Sequence, residues 1–117
     1  MQETKGPAPA GPSSRPARRY DPPMIRHVVL LRFTDPDAVA PVVAALRELP
    51  GAVPSIRSYR VDTDLGLAPD NAHLSVTAEF DDAAGHAEYR DHPAHVRVID
   101  ELIRPHLESR SAIQHEV

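Results

Sequence analysis

The 117 residues are enough for one domain, and a net charge of −4, from 17 acidic and 13 basic residues, makes a phosphate backbone a poor partner. The lack of cysteine excludes disulfides, thiol nucleophiles and Cys-ligated zinc. No stretch approaches the roughly 20 apolar residues of a membrane-spanning helix, so the sequence predicts a cytoplasmic protein with neither a nucleic-acid nor a membrane partner.

Residues 1–23, MQETKGPAPAGPSSRPARRYDPP, hold six of the 13 prolines and no Val, Ile, Leu or Phe. Such a segment buries too little apolar surface to offset its ordering entropy, and the expectation is a disordered Pro-rich tail. Four basic and two acidic side chains give that tail +2, which leaves −6 for the remainder. Arg18-Arg19 is a twin arginine in letter only, because the apolar run that follows, IRHVVLLRF, is short and broken by charge. Met24, directly ahead of a strand, reads as a candidate start, which the intact mass of the native protein would decide. The expected domain is 24–117, small enough that dimerisation would help its stability.

MIRHVVLLRFT (24–34) is rich in β-branched and aromatic residues and reads as a strand. Ile25, His27, Val29, Leu31 and Phe33 share one face; Val28 and Leu30 make the centre of the other face apolar too. In TDPDAVAPVVAALRELPG, Val39, Val42, Val43, Leu46 and Leu49 recur at helical spacing, with Asp35 or Asp37 as cap and Pro50-Gly51 as stop. Pro41 requires that the helix begin close to it or kink there. SIRSYRVDTDLG (55–66) is a second strand, and LAPDN a turn. AHLSVTAEF (72–80) alternates, with Leu74, Val76, Ala78 and Phe80 on one face. Asp81 or Asp82 caps a short helix over 83–91 that contains Tyr89. A last helix runs from Pro93 to about Leu107 with a stripe of Val98, Ile99, Leu102 and Ile103, limited by Pro105, and SAIQHEV closes the chain as a strand. The order β-α-β-β-α-α-β is an α+β, ferredoxin-like pattern: a four-stranded antiparallel sheet with helices on one face. The face carrying Val28 and Leu30 is left bare, and a symmetric homodimer would cover it.

The chemistry-bearing stretch is DHPAHVRVID (91–100). Pro93 suits the first helical position and keeps the residue before it extended, so His92 falls at the cap and His95 in the first turn. Counting 3, 4 and 7 on from His95 reaches Val98, Ile99 and Leu102, which aims His95 along the buried stripe. The positive helix pole disfavours imidazolium, so His95 is expected to be neutral and able to accept a proton. His27 on the first strand and Tyr89 just upstream could meet it in one apolar pocket as orienting or donating groups. On spacing alone the plainer reading leads: a helix-start histidine caps or faces solvent, and a strand histidine is a satisfied core residue. His92, His95 and His27 offer three imidazoles to a metal, but no carboxylate stands at ligand spacing, and no metal is expected. Without Trp, Cys or a Gly-rich phosphate loop, dinucleotide and flavin sites are disfavoured, and no cofactor is expected. His73, His86, His106 and His115 read as surface or edge residues, and Asp81-Asp82 as a helix cap.

IRHVVLLRF, HPAHVRVIDELIRP and the closing strand together resemble the stress-responsive dimeric A/B-barrel (Dabb) family, from Met24 to Val117. The resemblance implies a ferredoxin-like homodimer whose two sheets close a barrel. Among the family's olivetolic acid cyclase-type members it implies cofactor-free, aldol-type cyclisation, with the base at His95, an assisting tyrosine at Tyr89 and a pocket-wall histidine at His27. The expected pocket lining is Val29, Leu31, Val42, Val43, Leu46, Val76, Ala78, Val98, Ile99 and Leu102. This chain departs from the family pattern at Ile113, Gln114 and His115, where a Phe-Asp-Tyr run is usual. It also has Val42, Val43 and Leu46 where the cyclase has large aromatics. The leading expectation is a homodimer that binds a small hydrophobic or polyketide-like molecule and acts on an enolisable carbonyl compound with His95 as base. The alternatives are a non-catalytic stress-responsive dimer and an enzyme like the antibiotic-biosynthesis monooxygenases.

Overall fold

The computed structural model describes residues 23–117. The disordered-tail expectation for residues 1–23 therefore lies, Pro23 excepted, outside the described residues. Four strands, β1 (Ile25–Phe33), β2 (Ile56–Thr63), β3 (Leu74–Phe80) and β4 (Leu107–Glu116), form one sheet in the order β2-β3-β1-β4. All the pairings are antiparallel. Helices α1 (Val39–Arg47), α2 (Ala83–Asp91) and α3 (Pro93–Val98) complete the ferredoxin-like fold.

Period-two alternation places the core. On β3 every second residue is buried, Leu74, Val76, Ala78 and Phe80, as the sequence pattern requires. His27, Val29, Leu31 and Phe33 bury the same face of β1. Val42, Val43 and Leu46 of α1 join this one cluster with Val98 and Ile103. Each fully buried Leu or Phe contributes about 1.5–3 kcal/mol. The opposite face of β1 leaves Leu30 at 43% exposure and Ile113, the β4 partner of Val28, at 58%, so one side of the sheet is apolar at its centre and uncovered within the chain.

Local chemistry explains the helix starts. Asp35, not Asp37, is the cap: its Oδ1 accepts from the Asp37 amide at 2.9 Å and opens a 3-10 turn over Pro36–Ala38. Because α1 then begins at Val39, Pro41 falls in its first turn, where a backbone N–H would have no helical partner. Asp82 caps α2, with Oδ1 accepting from the Gly85 amide at 2.8 Å. The strand expected over 55–66 stops at Thr63, and Gly66, at φ 78°, takes the turn that follows.

The C-terminal region differs from the sequence expectation. The helix predicted to reach Leu107 ends at Val98. Ile99–Ile103 widen into a π turn and Arg104–His106 tighten into a 3-10 turn around Pro105. β4 begins at Leu107, not at Ser111, and pairs with the whole of β1, from Phe33↔Leu107 to Ile25↔Glu116. The free edge of β1 satisfies this backbone with ladder hydrogen bonds, and that pairing outweighs local helical preference.

Candidate functional site

A cavity of about 480 Å³ lies between the helices and the sheet. β1 supplies His27, Val29 and Leu31, α1 Leu46, and β3 Val76. The α2–α3 corner supplies His86, Tyr89 and His95. The π turn adds Ile99 and Ile103, and the inner face of β4 adds Arg110 and Gln114.

The residues singled out in the sequence as chemical, His27, Tyr89 and His95, all line this one cavity. Pro93 places His92 in an extended conformation, and its Nδ1 accepts from the Ala94 amide at 3.1 Å, so His92 is a cap. His95, one turn inward, lies against Tyr89 with ring centroids 4.2 Å apart and the planes tilted by 36°. Its Nδ1 donates to the Arg90 carbonyl at 3.1 Å. That bond puts the proton of the neutral ring on Nδ1 and leaves Nε2 as the acceptor. His27 has the complementary arrangement. The Gln114 amide Nε2 donates to its Nδ1 at 2.8 Å, so the neutral ring carries its proton on Nε2. One imidazole is thus set to accept a proton and the other to donate a hydrogen bond.

Electrostatics keep both rings neutral near pH 7. Burial lowers His27 from 6.5 to about 4, with further contributions from His86, Arg110 and His95. Burial is also the main cause that lowers His95; the Arg90 carbonyl works against it and Arg110 with it. Desolvation thus joins the helix pole as a cause of its neutrality. Burial raises Tyr89 and keeps it a phenol. Its hydroxyl lies 3.0 Å from that of Tyr59, which burial also raises.

Five of the ten aliphatic residues expected in the lining are there: Val29, Leu31, Leu46, Val76 and Ile99. Val42, Val43, Ala78 and Val98 are buried in the core and Leu102 packs half-buried against it, none of them on the cavity wall. Helical spacing identifies a buried stripe but not which part of it borders a void. His86 corrects another expectation. It is half-buried in the cavity, with its ring centroid 4.7 Å from that of His27, and burial lowers its pKa. Its position three residues before Tyr89, on the same helical face, was the available signal. His73 is an edge residue whose Nδ1 accepts from the Phe33 amide at 3.0 Å, and His106 and His115 are exposed. Tyr59 and Arg110 had no motif to mark them, and Gln114 stood out only as a departure from the family's usual closing run. Among the described residues no three His, Asp or Glu side chains group as metal ligands would, and no helix is long and apolar enough to cross a membrane.

Comparison with known proteins agrees with this architecture. The family model of the stress responsive A/B barrel domain matches residues 25–117. A dimeric ferredoxin-like protein of unknown function from Thermobifida fusca is 36% identical, with a TM-score of 0.74, over 88% of this chain and all of that one. A Dabb family protein from Mesorhizobium loti is 21% identical, with a TM-score of 0.70, over 81% of this chain and 97% of its own. The hydroxynitrile lyase of Passiflora edulis is 18% identical, with a TM-score of 0.70, over 82% of this chain and 94% of its own. No curated protein matches the chain. The match of the family model over nearly all the described residues, on a sheet of this topology, makes the chain a member of the stress-responsive A/B barrel (Dabb) family.

Proposed function

We propose that the protein is a homodimer in which each subunit's cavity binds a small, largely apolar molecule and performs cofactor-free acid/base chemistry on an enolisable carbonyl compound. The observation that carries this reading is the opposed tautomers of His95 and His27 in the lining of one cavity. Removing a proton next to a carbonyl needs a neutral base and a donor for the enolate oxygen that develops. His95 Nε2 is the base; His27 Nε2–H, with the Tyr89 hydroxyl, is the donor. Tyr59 holds the Tyr89 hydroxyl in place through their 3.0 Å contact. Aldol-type ring closure of a polyketide-like chain is one reaction of this class. A hydroxynitrile lyase on the same fold is compatible with such chemistry but shares only the fold at 18% identity.

Homodimer formation is supported by the uncovered apolar centre of the sheet and by relatives described as dimeric. The test is His95→Ala, assayed for solvent-deuterium exchange α to the carbonyl of a panel of methyl ketones, β-diketones and medium-chain keto acids. The wild type is expected to exchange faster than buffer, and the variant to lose at least 100-fold of that excess while eluting as the same oligomer. Equal exchange in the two proteins would show that His95 is not the base. If the wild type exchanges nothing and still binds ligands, the non-catalytic binding dimer is the better description.

A further inference from the structure

We propose that the ligand of this cavity carries a carboxylate, seated on the Arg110 guanidinium. The proposal rests on reading the cavity as a ligand site and names the chemical class it takes. Three arginines line the wall, Arg90, Arg104 and Arg110, against one carboxylate, Asp100. A lining with this positive excess stands out in a chain whose residues beyond the first 23 sum to −6.

Two of the arginines are already engaged. Arg90 donates to both oxygens of Asp91 at 2.9 Å, and Arg104 lies 3.4 Å from Asp100. Arg110 pairs with no carboxylate among the described residues. It stands opposite Leu31 in the β1–β4 register, on the same strand face as Ala112 and Gln114. Its side chain is exposed at the solvent-facing side of the cavity, where a ligand can reach the guanidinium.

The guanidinium fork matches a carboxylate in two parallel hydrogen bonds. Next to it, Val29, Leu31, Leu46, Ile99 and Ile103 offer a wall for a hydrocarbon chain. A single free positive charge suits a monoanion better than a phosphate dianion. Arg110 is also close enough to act on both His27 and His95. A carboxylate anchored on it would draw the rest of the molecule past the two imidazoles. The class is therefore an amphipathic monocarboxylate with its reactive carbonyl further along the chain, a keto acid rather than a neutral ketone.

The experiment titrates octanoate and the isosteric neutral octanamide into the full chain, at low salt and pH 7.5. The His27 and His95 ring resonances are followed by NMR. The wild type is expected to bind octanoate at least tenfold more tightly than octanamide, with both histidines shifting. Arg110→Gln should bring the two ligands to within about twofold by weakening octanoate alone. If both ligands bind the wild type equally and shift both histidines, the carboxylate proposal fails while the cavity stands as a ligand site. A preference that survives in Arg110→Gln overturns the proposal in the same way. If neither ligand shifts either ring, the binding reading and this proposal fall together.

Discussion

Replacing His27 with glutamine should remove a defined part of the protein's acid sensitivity. His27 is 5% exposed, and burial lowers its pKa from 6.5 to about 4. Between those values the unfolded chain binds a proton that the folded chain does not. Stability is therefore full above pH 6.5 and falls as the pH drops toward 4. Each pH unit in that window is worth about 1.36 kcal/mol, so the whole gap corresponds to about 3.4 kcal/mol. Water in the adjoining cavity screens part of this, and about 2 kcal/mol is the expected loss. In urea titrations followed by far-UV circular dichroism, with a slope of about 1.3 kcal/mol per molar, that is a midpoint shift of about 1.5 M between pH 7.5 and 4. Both proteins are compared at one concentration, since dimerisation makes stability concentration-dependent. His86 and His95 are lowered in the same direction and act in both proteins, so the difference between the two pH profiles isolates His27. Profiles that run parallel within about 0.5 kcal/mol, together with an NMR pKa for His27 near the ordinary imidazole value of about 6.5, would mean that burial does not hold His27 neutral.

Four further outcomes follow from the same geometry. His95→Ala should abolish α-proton exchange with the oligomer intact, and Arg110→Gln should erase the preference for octanoate over octanamide. Tyr59→Phe removes the 3.0 Å partner of Tyr89 and should cost about 1 kcal/mol in thermal or urea unfolding. The same change should reduce proton exchange about tenfold or less, because Tyr89 keeps its place in the wall; no change in either measurement would mean that the contact positions nothing. Leu30→Lys puts a charge into the bare apolar centre of the sheet, and sedimentation velocity should show the variant as monomer at concentrations where the wild type is dimer. A variant that stays fully dimeric would place the interface elsewhere.

The sequence alone determined the topology, because period two in LSVTAEF and helical spacing in VAPVVAALR are local patterns that a folded core has to respect. Pro93 in DHPAHVRVID likewise fixed which histidine caps and which turns inward, since proline constrains its neighbours wherever it stands. The bare face of β1 was legible from Val28 and Leu30 before any coordinates. The remaining features depend on partners far apart in the chain. The last helix stops early and β4 begins at Leu107 because the edge of β1 offers a ladder, which no local signal in DELIRPHLES announces. The tautomer of His27 is set by Gln114, 87 residues away, and the hydroxyl of Tyr89 by Tyr59, 30 residues away. Periodicity could mark Val42 and Val43 as buried but not that they border solid core rather than a void. Nor could it bring His86 and Arg110 to one cavity wall, because a cavity is what remains after every element has packed.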